Sequence, residues 1–195
     1  GEIHAADREL GGIVAAQERM RGNPALIVVT SDHGEAFYEH GMPRHGWTLH
    51  EEVLRVPLLL HGPTLAGRAL DPSRPARSED ILPTLLDLVG CDPSGRDGES
   101  LLRPPGEGPF TALGQTRYHV QKESYLVEGS LKLIVDERFG RHELYDLSED
   151  PHERRNLAGE RPDSVTELLH RLEGLREALR AKAYLTFAPR LAFEA

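Results

Sequence analysis

The residues from Leu26 to Pro63 decide the fold, and they read LIVVTSDHGEAFYEHGMPRHGWTLHEEVLRVPLLLHGP. A short apolar run over residues 25–29 stops at a polar loop, and a second apolar run over residues 56–60 closes the stretch. Five of the ten histidines of the chain lie here: His33, His40, His45, His50 and His61. An open α/β sheet presents a site in this way, with a ligand-rich loop after a buried strand. The stretch therefore predicts an α/β fold whose functional loop joins two strands that are buried on both faces.

The flanking sequence divides into an α/β part and a smaller C-terminal part. Apolar periodicity and turn residues predict helices over residues 2–20, 79–89 and 164–182, and strands over residues 25–30, 56–61, 125–127, 131–135 and 143–147. The Gly- and Pro-rich residues 92–109 are typical of a linker. We therefore predict two domains. Residues 1–108 form an α/β core with the histidine-rich loop, and residues 109–195 form a small antiparallel sheet with an amphipathic helix.

The composition excludes some classes of partner. The chain has 195 residues and a net charge of −9, which argues against a nucleic-acid-binding surface. Its one cysteine, Cys91, cannot form an internal disulfide, and no apolar run reaches membrane-spanning length. The sequence begins GEIHAAD, without Met or a signal peptide, so we expect it to be part of a longer chain. None of these features indicates the cellular compartment.

Asp32 and His33 are the candidate metal ligands. Asp32 offers a hard oxygen and His33 an imidazole nitrogen, and Gly34 permits the turn that would let adjacent side chains reach one ion. Glu35 could orient His33 through its second ring nitrogen. The plainer alternative is an Asp32 that caps a helix beside a hydrogen-bonded His33. A single Asp-His pair does not decide between the two, because metal sites need three or four ligands.

His45 and Arg55 are the candidate anion-binding residues. His45 could donate a proton to a sulfate or phosphate oxygen or to a leaving group, and the alternative is a solvated loop histidine. Arg55 precedes a predicted strand, where it could bind an anion or form a buried ion pair with a glutamate of residues 51–52. His40 and His50 are interpreted as surface or supporting residues.

Four sequence blocks together resemble the sulfatase branch of the alkaline-phosphatase superfamily. These blocks, in chain order, are SDHGE (31–35), HGWTLHEEVLRVPLLL (45–60), EDILPTLLDLVG (79–90) with GESLL (98–102), and ELYDLSEDPHERRNLA (143–158) with LKLI (131–134) before it. Each block alone is modest evidence, but four in order across nearly the whole chain are strong. The resemblance implies the C-terminal half of an alkaline-phosphatase-like three-layer α/β sandwich, followed by a small antiparallel sheet with a closing helix.

The resemblance also implies roles for the loop residues. Asp32 and His33 would bind one divalent cation, with calcium expected first and manganese, zinc or magnesium as alternatives. His45 would occupy the position of the Lys or His that holds the anionic oxygens of the substrate, and Arg55 would lie at the same substrate site. His50 departs from the family pattern, which usually has a Tyr there. The expected substrate is a sulfated small molecule or saccharide.

The nucleophile that the resemblance implies has no counterpart in this sequence. In the family it is a formylglycine made from C/S-x-P-x-R, or an unmodified Thr, Ser or Cys, and it lies in the N-terminal half together with two more acidic ligands. SRPAR at residues 73–77 fits the motif literally, but it follows the metal pair, where the family has no catalytic residue. Cys91 begins CDPSGR, which is one residue too long, and is interpreted as a small packing residue.

The expected function is therefore part of a sulfate-ester hydrolase that depends on a divalent cation. Its partner would be the missing N-terminal half of the same domain, and this segment alone should be inactive. Two alternatives stay open: a phosphoester or phosphonate ester hydrolase of the same superfamily, and a non-catalytic domain that retains the fold.

Overall fold

The computed structural model describes residues 1–21, 25–68, 70–117 and 122–187. Its helices and strands, in chain order, are α1 (Glu2–Arg21), β1 (Ile27–Thr30), β2 (Ala36–Phe37), β3 (Pro43–Arg44), α2 (Glu51–Leu54), β4 (Leu58–His61), α3 (Ile81–Leu88), β5 (Thr111–Thr116), β6 (Glu123–Glu128), β7 (Leu131–Asp136), β8 (Arg141–Asp146) and α4 (Pro162–Phe187). These elements form two compact units. Residues 1–32 and 56–107 make the first unit, and residues 33–55 and 108–195 make the second. The domain boundary predicted near residue 108 stays a prediction. No helix within the described ranges is both long and apolar enough to cross a membrane.

The two apolar runs of the first unit form a two-stranded antiparallel sheet. β1 pairs with β4 so that Val28 lies opposite Leu60. We predicted that both strands would be buried on both faces, and this prediction was wrong for the described residues. β4 alternates half-buried and exposed positions, and 60% of Leu59 is exposed. Apolar side chains therefore occupy both the half-buried and the exposed positions of β4. Residue type alone does not show which of these positions are buried.

A buried carboxylate holds the start of α3. Asp80 directly precedes α3, yet its side chain makes no cap hydrogen bond to this helix. It instead accepts hydrogen bonds from the Arg77 backbone (2.9 Å), the Arg77 guanidinium (2.9 Å) and the Glu99 backbone (2.8 Å). Burial alone would raise the pKa of Asp80, but these hydrogen bonds outweigh it and lower the pKa. Asp80 therefore ties the start of α3 to the GESLL segment.

The second unit is built on a four-stranded antiparallel meander, β5-β6-β7-β8. The predicted hairpin of β6 and β7 is confirmed, and Gly129 makes its turn with φ of +64°. The apolar face of the sheet packs against one stripe of the long helix α4, with buried side chains Leu126, Leu133, Leu144, Val165, Leu168 and Leu172. The antiparallel sheet with its amphipathic helix is therefore present as predicted.

Candidate functional site

His33 and His45 meet at the base of a short hairpin in the second unit. β2 and β3 form this hairpin, with Ala36 opposite Arg44. The imidazole rings of His33 and His45 stack with 3.9 Å between their centroids. Glu35 Oε2 lies 3.2 Å from His45 Nδ1, so Glu35 contacts the ring of His45, and its predicted contact with His33 stays a prediction. Two of the predicted site residues thus lie side by side, with a carboxylate at their edge.

The tautomer of His33 is compatible with metal binding. Its Nδ1 lies 2.8 Å from the carbonyl oxygen of Gly34, so Nδ1 carries the proton and the lone pair is on Nε2. A backbone carbonyl that fixes the protonated nitrogen in this way is the usual support of a metal-binding histidine. Asp32 is exposed, two residues after β1, and it ends the first of the two segments that make the first unit. The assignment of both residues as ligands stays a prediction.

Gly34 is required by a close backbone approach. Its N–H donates to the carbonyl of Val53 at 2.7 Å, and a Cβ at this position would lie 2.2 Å from the carbonyl oxygen of Glu52. We predicted that Gly34 permits the turn that lets adjacent side chains reach one ion. Its φ is not in the left-handed region, so the physical reason is space instead. The segment that carries His33 is therefore attached directly to the end of α2.

A fully buried lysine anchors α2 to the sheet. The side chain of Lys132 on β7 is 0% exposed, and its Nζ lies 2.8 Å from Glu51 Oε1 and 2.7 Å from Glu153 Oε1. The Glu153 contact is an ion pair and not a well-aligned hydrogen bond. Glu153 Oε2 also accepts from the Glu51 backbone at 2.6 Å, although Glu153 itself has a left-handed φ of +53°. We name Lys132, Glu51 and Glu153 the buried triad.

His40 and His50, which we interpreted as surface or supporting residues, lie next to the buried triad. Their rings stack in parallel, 3.7 Å apart with 5° between their planes. His40 Nδ1 contacts Glu52 Oε1 at 2.8 Å, and its Nε2 contacts the Glu153 carbonyl at 2.9 Å. Both of these partners are acceptors, so His40 satisfies them only as an imidazolium. His50 is buried and so does not lie at the surface, and its supporting role stays a prediction.

The same cluster has ligand types suited to a metal ion, but its geometry does not suit one. In the part of the chain that the structure describes, potential ligand atoms of His40, His50 and Glu153 lie within 4.8 Å of one another. Because the two rings are parallel, the in-plane lone pairs of their nitrogens do not converge on one point. Existing contacts also occupy the ring nitrogens, since His50 Nε2 lies 3.0 Å from Glu143 and its Nδ1 contacts Thr48. The cluster is therefore an ion-pair network.

The network borders a concave pocket in the second unit. Its volume is about 670 Å³, and the residues that line it include Arg55, Tyr145, His152 and Arg154. Arg55 is exposed and is not the buried partner of a neighbouring glutamate, because Glu51 pairs with Lys132 and Glu52 with His40. The role of Arg55 in anion binding stays a prediction.

The protonation of His40 should make the stability of the protein depend on pH. Burial lowers the pKa of His40, but its contacts with Glu52 and Glu153 outweigh burial and raise the pKa. The stabilisation is fully present below the unfolded pKa of about 6.5 and is lost as the pH rises through the folded pKa. We expect the difference in unfolding free energy between the wild type and His40→Gln to shrink between pH 6 and 9, in urea titrations at about one-unit intervals.

The matched control for this prediction is His152→Gln, which changes an exposed histidine of the same unit. A difference for His40→Gln that stays constant over the pH range, or that grows with pH, would contradict the assignment of His40 as the charged partner.

The two residues that were considered as possible nucleophiles, Ser73 and Cys91, both lie at exposed positions. Ser73 Oγ donates to its neighbour Asp71 at 2.6 Å in an exposed turn. The arginines of the same SRPAR motif bind Glu99 and Asp80. Cys91 is exposed, so our interpretation of it as a packing residue was wrong. The interpretation of SRPAR as a chance match is consistent with these contacts.

Comparison with known proteins shows a similarity to sulfatases. The family model described as Sulfatase matches residues 1–91. The uncharacterized sulfatase YidJ of Escherichia coli K12 is 28% identical over 160 residues, which are 77% of this chain and 31% of YidJ. The delta 4,5-hexuronate-2-O-sulfatase of Bacteroides thetaiotaomicron is 28% identical over 151 residues, which are 70% of this chain and 31% of that protein. The chain thus spans about a third of the length of these relatives.

A solved structure shares the fold. It is the structure of a protein in complex with its substrate D-glucosamine-2-N,6-O-disulfate, and it has a TM-score of 0.68 and 26% sequence identity. The match covers 90% of this chain and 39% of the other. The predicted alkaline-phosphatase-like α/β fold is therefore confirmed.

Proposed function

We propose that this chain is part of a sulfatase and contributes the metal-binding loop of a sulfate-ester hydrolase, because the Sulfatase family model matches residues 1–91 and the chain matches part of larger sulfatases. The proposed substrate is a sulfated saccharide, the class named for the hexuronate sulfatase and for the glucosamine disulfate complex. The observation that supports the proposal most directly is the stack of His33 on His45, which joins a candidate metal ligand to a candidate sulfate-binding residue.

In this proposal Asp32 and His33 hold a divalent cation, with calcium as the first candidate. The exposed carboxylate of Asp32 is a donor that calcium prefers, and the imidazole of His33 is a donor that suits zinc and other transition metals, so the pair fits a divalent cation. When bound, the cation would polarise the sulfate oxygens and so favour attack on sulfur. A nucleophile of the formylglycine type would come from the part of the larger sulfatases that this chain does not cover.

His45 has two donors when it is protonated. Nδ1 donates to Glu35, and Nε2 is then directed to an oxygen of the sulfate ester, where it stabilises negative charge that develops as the ester bond breaks. Arg55 would add a second positive group at the same substrate. Asp32, His33, His45 and Arg55 do not include a nucleophile, so this segment alone should have no hydrolase activity.

The test is an assay of the intact protein that contains this chain, with 4-nitrophenyl sulfate, 4-nitrophenyl phosphate and D-glucosamine 6-sulfate as substrates. We expect sulfate release from the sulfate esters and little turnover of the phosphate ester. We also expect EDTA to abolish the activity and added Ca²⁺ to restore it. Faster turnover of the phosphate ester, or activity that EDTA leaves intact, would contradict the proposal.

A further inference from the structure

The hairpin that begins at His33 and ends at His45 carries two exposed aromatic residues. Phe37 is 76% exposed and Tyr38 is 67% exposed. Single exposed apolar residues are common on protein surfaces, but two adjacent aromatic rings beside a candidate site are less easily explained by chance. We name Phe37 and Tyr38 the aromatic platform.

The backbone conformation of Tyr38 indicates that its side chain has a function. Its φ is +73°, in the left-handed region that a bulky side chain rarely adopts. The Tyr38 carbonyl accepts from the Gly41 N–H at 3.1 Å and so closes the turn. Glycine would make this turn without strain. Strain of this kind at an exposed aromatic residue points to function, because no packing against the described residues explains it.

Phe37 lies on the same side of the hairpin as the candidate sulfate-binding pair. Glu35 and Phe37 are two residues apart in extended chain, so their side chains point to the same face, while the intervening Ala36 is buried. Glu35 contacts His45 at 3.2 Å, which brings His45 to that face. At the rise of a strand, Phe37 lies about 7 Å along the face from the Glu35–His45 pair. This spacing is about the width of one sugar ring.

The polar groups beside the platform are suited to bind the hydroxyl groups of a sugar. A pyranose ring has an apolar C–H face that packs on an aromatic ring, and hydroxyl groups at its edge that bind carboxylates. The exposed Glu39 side chain accepts a hydrogen bond from the Phe37 backbone and so lies at the platform's edge. Aromatic rings with a few polar groups are the usual lining of a site for such a ligand.

We infer that Phe37 and Tyr38 bind the pyranose ring of a sulfated saccharide whose sulfate group is held at His45. This inference rests on the proposed function and deepens it, because it assigns the recognition of the sugar to residues that take no part in the reaction. The platform contacts the substrate away from the sulfur atom, so it contributes to binding in the ground state and the transition state alike.

The first test measures kinetics of the intact protein with D-glucosamine 6-sulfate. We expect Phe37→Ala and Tyr38→Gly each to raise KM about three- to tenfold with kcat nearly unchanged. Inhibition by inorganic sulfate should be unchanged, because sulfate occupies only the anion site. Tyr38→Gly should not lower the melting temperature, since glycine relieves the strain at φ +73°. Phe139→Ala, which removes an exposed aromatic ring from another turn, is the control and should leave KM unchanged.

The second test does not depend on turnover, so it separates failure of this inference from failure of the proposed function. Saturation-transfer NMR with D-glucosamine 6-sulfate should show signals from the ring C–H protons in the wild type and Phe139→Ala. These signals should be weaker in Phe37→Ala and Tyr38→Gly. Equal signals in all four proteins, or none in the wild type, would overturn the inference. So would a change of oligomeric state in Phe37→Ala, because the platform would then be a protein contact.

Discussion

Replacing Asp32 with alanine in the intact protein is expected to remove the bound cation. Asp32 is the only carboxylate of the predicted ligand pair, and a divalent cation of the calcium type depends on hard oxygen donors. We expect elemental analysis to show loss of the metal after gel filtration. Sulfatase activity should fall more than about 100-fold, since even partners outside the ligand shell can matter by 10- to 100-fold.

Asp92→Ala is the matched control, because Asp92 is an exposed aspartate of the same unit that forms a local turn with Ser94. It should retain both metal and activity. If Asp32→Ala keeps its metal, Asp32 is not a ligand. If it loses the metal but keeps its activity, the ion is structural and the proposed mechanism is wrong.

Replacing Lys132 with alanine is expected to destabilise the protein by about 3–5 kcal/mol, because Glu153 would keep a buried charge without a counter-ion. The second carboxylate, Glu51, is also partly buried and loses the same partner. Urea unfolding followed by circular dichroism measures this difference in unfolding free energy. Arg155→Ala is the control, since it breaks the exposed ion pair with Glu160, which should contribute less than about 1 kcal/mol.

A second variant separates loss of charge balance from loss of packing. In Lys132→Met with Glu153→Gln, the buried charge is removed on both sides and the apolar stem is retained. We expect this double variant to be more stable than Lys132→Ala. If Lys132→Ala costs no more than Arg155→Ala, the buried triad does not anchor α2.

Local patterns in the sequence were sufficient for much of the fold. The helices α1 and α4 and the hairpin of β6 and β7 follow from periodicity and turn residues, and the structure confirms them. Strand β5 was not predicted, because its sequence TALGQT has no clear alternation. Gly114 in β5 lies under the ring of Tyr125, where a Cβ would be 2.7 Å from the ring, so tertiary packing and not local preference explains that strand.

The candidate site could be predicted only in part, because some of its contacts join residues that lie far apart in the sequence. His33 and His45 stack on each other, as expected for two residues that short sequence motifs assign to one site. The buried triad could not be found in this way, because Lys132 and Glu153 lie 81 and 102 positions from Glu51 in the chain. A lysine in the strand LKLIVD is usually interpreted as solvent-facing. Its complete burial depends on two carboxylates that only the folded chain brings to it.

The close contact of Gly34 with the end of α2 has a consequence for directed evolution of the substrate range. A library that varies position 34 would introduce a Cβ into the space of the Glu52 carbonyl, so most of its members should fail to fold. Residues 37–39 are exposed and have no such contact, whereas Gly41 has a φ of +80° and should stay glycine. Under the proposed function, diversity placed at residues 37–39 would vary the contacts to the substrate while the backbone of the loop is kept.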